Sequence, residues 1–107
     1  MATELELAAR TEALCRTMSV IGSEAALCGE VEAWARARFP LVTRVGDSLV
    51  VRVDGPGEGK RPTVALCGHL DTVPVHEADL GPPRRDGGRL VAPGASDMKG
   101  GLAVMMA

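Results

Sequence analysis

Apolar residues recur at helical spacing through the first part of the chain and at alternate positions after it. Leu7, Thr11, Leu14 and Met18 fall on one face, with Ala8 and Cys15 beside them. Thr3 precedes this stripe as an N-cap, and Glu4 and Glu6 sit in the first turn, where the helix dipole favours acids. Ser19 to Gly22 interrupts the pattern. A second helix is predicted from a Ser23 cap, with Leu27, Val31, Trp34 and Ala35 as its apolar stripe. Glu32 and Arg36 form an i,i+4 ion pair on its wet side. Pro40 closes it, because the residue before a proline is pushed out of the helical region.

From Leu41 the period changes to that of strands. Leu41–Val45 is a short β run, Gly46-Asp47 a turn, and Leu49, Val51 and Val53 alternate with Val50 and Arg52. Asp54 to Pro62, rich in Gly and Pro, is a loop or hairpin connection. Thr63–Cys67 is continuously apolar, which predicts a central strand covered on both faces. Val75 to Gly88 is polar and turn-rich, Arg89–Val91 is one more short strand, and a last helix opens at Met98. The predicted class is α/β, a mixed sheet flanked by helices. The last helix runs to Ala107 with no Gly, Lys or Pro stop signal. Residues 1–107 are therefore expected to be the N-terminal part of a longer domain.

Composition narrows the function. The chain has 107 residues with 12 Lys+Arg against 14 Asp+Glu, a formal net charge of −2. That balance argues against a nucleic-acid partner. One Trp, one Phe and no Tyr leave little for stacking bases or sugars. No apolar run approaches the roughly 20 residues a bilayer needs, so no membrane partner is expected. Glu4 and Glu6 stand where a signal peptide is basic and then apolar. Cys15, Cys28 and Cys67 are odd in number without a CxxC spacing, which fits reduced thiols in the cytoplasm. Gly55 to Arg61 fails the phosphate-loop pattern, since Arg61 stands where Ser or Thr must bind magnesium.

Two segments carry candidate chemistry. Cys67-Gly68-His69-Leu70-Asp71-Thr72-Val73-Pro74 follows the apolar run, and Gly94-Ala95-Ser96-Asp97-Met98-Lys99-Gly100-Gly101 precedes the last helix. In extended backbone, residues i and i+2 face the same side. His69 could thus offer a nitrogen to a metal while Asp71 fixes its other nitrogen; equally, His69 could pack on a sheet while Asp71 makes a turn. Asp97 could bridge two cations with its two oxygens, or simply cap the helix. Lys99 could pair with a carboxylate near the site or point to solvent. Gly100 and Gly101, each costing roughly 1 kcal/mol in a helix, imply close approach of a neighbour. His76 lies in the polar loop and reads as solvated.

Taken together, these two segments closely resemble the di-zinc metallopeptidase family that includes succinyl-diaminopimelate desuccinylase, acetylornithine deacetylase, aminoacylase and the glutamate carboxypeptidases. The resemblance covers essentially the whole chain but only the first quarter to third of a typical member. It implies a zinc-peptidase-like catalytic domain holding two Zn2+, with Co2+ as a possible substitute. It implies that His69 binds one metal, that Asp71 is the catalytic residue orienting it, and that Asp97 bridges both metals ahead of a cis Asp97–Met98 bond. It further implies that a Glu-Glu pair, further ligands and a dimerisation domain lie beyond residue 107, and that the complete protein is a homodimer acting on a small anionic N-acyl amino acid. The piece alone is then expected to be inactive. Ala92-Pro93-Gly94 replaces the Gly-Arg-Gly of many members, and no Trp or aromatic-proline pair follows Pro74. The wording of the motifs is most similar to the desuccinylases of diaminopimelate and lysine biosynthesis. The alternatives are another reaction within the family or a truncated, non-catalytic relative.

Overall fold

The computed structural model describes residues 2–57, 59 and 61–107. Met1, and Glu58 and Lys60 of the Asp54–Pro62 connection, lie outside the described residues. The element order is α1 (Glu4–Cys15), α2 (Ala25–Arg36), β1 (Leu41–Val45), β2 (Ser48–Arg52), a 3-10 turn (Glu77–Asp79), β3 (Arg84–Asp86), β4 (Arg89–Val91), a kinked turn (Ala95–Lys99) and α3 (Gly100–Met105).

Helix α1 starts as its sequence dictates. Thr3 Oγ1 accepts from the Glu6 N–H, and Glu6 Oε2 accepts from the Thr3 N–H, a reciprocal capping box. Helix α2 starts differently from expectation. Glu24, not Ser23, is its N-cap and makes no side-chain cap bond. The Ser23 N–H instead donates to the Val20 carbonyl and closes a turn. The Glu32–Arg36 pair forms at 2.9 Å. Arg44 of β1 reaches the other Glu32 oxygen at 3.0 Å and tethers the hairpin to α2.

Strands β1 and β2 pair antiparallel, Val45 opposite Ser48, around Gly46 at φ 59°. Strand β2 stops at Arg52, so Val53 is exposed rather than part of the buried alternation. A second hairpin, unforeseen in its first half, pairs β3 with β4 across Gly87-Gly88. Gly87-Gly88 is a recognised hairpin turn signal within the stretch read as loop.

The core gathers Leu14, Leu27, Leu102 and Ala103, with Val31, Leu70, Met98, Met105 and Met106 packed against it. Leu27 and Ala103 are fully buried. Helices therefore meet helices at the centre, and the α/β class holds, but as two separate two-stranded hairpins rather than one mixed sheet. The largest correction is Thr63–Cys67. It is extended coil with no strand partner among the described residues, and Val64 and Leu66 are 81% and 67% exposed. A continuous apolar run signals a buried strand only where strands flank it; here each hairpin pairs internally and neither reaches this run.

Candidate metal centre

The first segment is fixed by a connector that its composition marks only as a break. Val20 and Thr72 form an isolated parallel bridge. The Thr72 N–H donates to the Ser19 carbonyl at 2.8 Å, and the Ile21 N–H donates to the Thr72 carbonyl at 2.9 Å. Ser19 Oγ, itself buried, donates to the Leu70 carbonyl at 2.7 Å. These three bonds hold the backbone on both sides of Asp71. Ser19 braces the candidate segment and was not singled out from the sequence, because a lone serine among turn residues carries no signal of burial.

The second segment is shaped by glycines and by a cis Asp97–Met98 peptide bond. Gly94 has φ +79°, and a Cβ there would lie 2.5 Å from Thr72 Cγ2. Only glycine therefore allows the two segments to touch at this point. A Cβ on Gly100 would meet the Ala95 carbonyl at 2.9 Å, and one on Gly101 would meet Met98 Cε at 3.0 Å, the close approach inferred from their cost. Gly68 has the same role from the other side, since a Cβ there would lie 2.8 Å from Met98 Cε. Asp97 is not a helix cap. Its φ of −130° and ψ of 94° are non-helical, α3 begins three residues later, and its N-cap is Lys99.

The result is a direct meeting of residues 28 apart in the chain. His69 Nε2 lies 2.9 Å from Asp97 Oδ1. On the other edge of the ring, Nδ1 lies 2.9 Å from the Asp71 carbonyl oxygen and 3.5 Å from Asp71 Oδ1. Asp71 thus holds the ring first through its backbone and only second through its carboxylate. The Asp71 carbonyl, then the Asp97 carboxylate, raise the His69 pKa above its ordinary value, because both stabilise the protonated ring. The His69 and Asp97 side chains are 46% and 82% exposed, so the pair opens to solvent.

Lys99 does neither thing expected of it. It is 2% exposed, and its Nζ donates to the Thr17 carbonyl at 2.9 Å. Burial holds its ammonium pKa below the usual lysine value. His76 stays apart from the pair. Its Nδ1 accepts from the Ala78 N–H at 3.1 Å and caps the 3-10 turn.

Imidazole nitrogen and carboxylate oxygen are the donor types zinc and cobalt take. The fit is chemically sound, since Nδ1 is held by the Asp71 carbonyl while Nε2 and the Asp97 carboxylate meet on the solvent-open side. Among the described residues no group of three or more His, Cys, Asp or Glu side chains is placed to hold a metal ion. No helix among the described residues is long and apolar enough to cross a membrane.

Residues 65–107 match the model of peptidase family M20/M25/M40, a span that contains both segments. Two proteins of Mycobacterium tuberculosis, from strains CDC 1551 / Oshkosh and ATCC 25618 / H37Rv, are each 39% identical to the chain over 99 residues. Both are provisionally described as succinyl-diaminopimelate desuccinylase DapE. The aligned region is 90% of this chain but 26% of each relative, so the chain spans about a quarter of their length. The span that carries His69, Asp71 and Asp97 is thus the part of the chain that matches peptidase family M20/M25/M40.

Proposed function

We propose that the chain is the N-terminal, metal-holding part of an amide hydrolase that converts N-succinyl-LL-2,6-diaminopimelate and water to LL-diaminopimelate and succinate. The observation that carries this reading is the 2.9 Å approach of His69 Nε2 to Asp97 Oδ1 inside the family-matched span. The choice of substrate rests on the description of the two mycobacterial relatives and on the wording of the two motifs.

When bound, zinc or cobalt supplies Lewis-acid polarisation of the amide carbonyl and lowers the pKa of water. His69 would offer Nε2 to one cation. Asp71 keeps the ring in place through its carbonyl at Nδ1, so that the free nitrogen faces Asp97. Asp97 has two oxygens and would hold a cation on each. Its exposure leaves room for further ligands and a general-base Glu from residues following Ala107. In this reading the complete protein is a cytoplasmic homodimer with two metals per catalytic domain, and its substrate is a small anionic N-acyl amino acid.

The test is a comparison of rates in the complete protein, loaded with zinc or cobalt. N-succinyl-diaminopimelate is expected to be cleaved with the highest kcat/KM, above N-acetylornithine and glutamyl-terminated substrates. Preference for the acetylated substrate would move the assignment to a deacetylase, and no turnover of any of the three would overturn the hydrolase reading.

A further inference from the structure

The described chain has four buried polar or charged side chains, Thr11, Ser19, Thr72 and Lys99. Three of them converge on the connector between α1 and α2, and each serves one of the two candidate segments. Ser19 grips the His69 segment through its own carbonyl and hydroxyl. Lys99, two residues after Asp97, reaches across to the Thr17 carbonyl. The connector is itself anchored, since Thr17 Oγ1 donates to Glu30 on α2. Gly94 completes the junction, since a Cβ there would meet both the Thr72 methyl and the Lys99 stem.

A buried lysine with one carbonyl partner is costly if its only task is packing, because an apolar side chain of similar size fills the same space without desolvating a charge. A charge-assisted bond from Lys99 to a main-chain oxygen does something packing does not: it fixes where the Asp97 turn sits along the connector. Ser19 does the same for the His69 segment, two residues further on.

We propose that Ser19 and Lys99 are positioning residues, which register the His69 segment and the Asp97 turn against one common connector, Thr17–Ile21. The consequence is reciprocal coupling between segments that are far apart in sequence. What this register serves rests on the metal-site reading above; the register itself does not, and it is tested without metal.

The experiment is amide hydrogen exchange on the 107-residue chain carrying Ser19→Ala, Lys99→Met or, as a control, Val31→Ala. Ser19→Ala removes a hydroxyl from the His69 side, yet is expected to speed exchange at the Lys99 N–H, which bonds the Gly94 carbonyl. Lys99→Met alters the Asp97 side, yet is expected to speed exchange at the Thr72 N–H. Each cross effect should be about three- to tenfold, the range one lost hydrogen bond produces, while the Cys28 N–H within α2 keeps its wild-type rate. Val31→Ala, a core truncation, should speed all protected amides alike. Changes confined to each variant's own segment would overturn the proposal, as would the same crossed pattern in Val31→Ala. If Lys99→Met does not fold, Ser19→Ala decides alone. A crossed pattern in a protein whose complete form binds no metal would retire the hydrolase reading and leave the register standing.

Discussion

Two adjoining stretches of extended chain have opposite fates. Thr63–Cys67 is the more apolar and is exposed, whereas Leu70–Thr72 carries an aspartate and is tied down by three hydrogen bonds. The first is exposed and pairs with no strand among the described residues, while the second borrows an edge from Val20 and a hydroxyl from Ser19. Burial follows from available partners, and apolarity alone does not supply them. His69 sits at the boundary. Its backbone N–H donates to Met98 Sδ, and its ring is held by the Asp71 carbonyl and by Asp97.

The sharpest test of that boundary is activity of the complete protein. His69→Ala and Asp97→Ala should each abolish amide hydrolysis. Asp71→Ala should cost less, about 10- to 100-fold in metal affinity, as loss of a group behind a ligand usually does. His76→Ala should leave the rate within about twofold, because His76 only caps a surface turn. Steady-state kinetics with a parallel metal titration reads all four. A His76→Ala loss as deep as that of His69→Ala would break the assignment of the pair.

Stability should separate the two stretches next. Gly94→Ala places a Cβ 2.5 Å from Thr72 Cγ2 at φ +79°, so it combines a left-handed backbone penalty with overpacking. The expected loss is about 2–4 kcal/mol in urea unfolding. Leu27→Ala, from a fully buried side chain, should cost a similar 2–5 kcal/mol or so. Leu66→Thr, on the exposed run, should stay within about 0.5 kcal/mol of wild type. A Leu66→Thr loss comparable to that of Leu27→Ala would show that the run is buried after all.

The same contrast explains what could be read from residues alone. Both leading helices and the first hairpin follow from local patterns: a cap, an apolar stripe, an alternation; the approach of His69 to Asp97 was expected only through the resemblance of the two motifs to a known family. Thr63–Cys67 and β3 were misjudged for different reasons. The first depends on strands being present elsewhere; the second is a three-residue strand whose Gly87-Gly88 turn lies inside a polar, turn-rich stretch. Ser19 and Lys99 stayed hidden because their value is a carbonyl oxygen 51 or 82 residues away, and main-chain acceptors leave no mark on residue identity.

The smallest effect concerns the charge on the His69 ring. Both of its close partners, the Asp71 carbonyl and the ionised Asp97 carboxylate, can only accept, so the protonated ring with two N–H donors satisfies them best. A raised folded-state pKa means that folding gains from this contact fully below the ordinary imidazole value of about 6.5 and loses the gain as pH rises through the folded value. Solvent reaches nearly half of the ring, so the gain is modest. The urea midpoint of the metal-free chain should therefore drift downward across that window, and His69→Gln should flatten the drift. Ring nitrogen shifts followed by NMR give the independent check: the His69 midpoint should lie above the ordinary value in wild type and fall toward it in Asp97→Asn. An Asp97→Asn midpoint equal to wild type would mean that the Asp71 carbonyl alone sets the charge, with Asp97 a neighbour in space only.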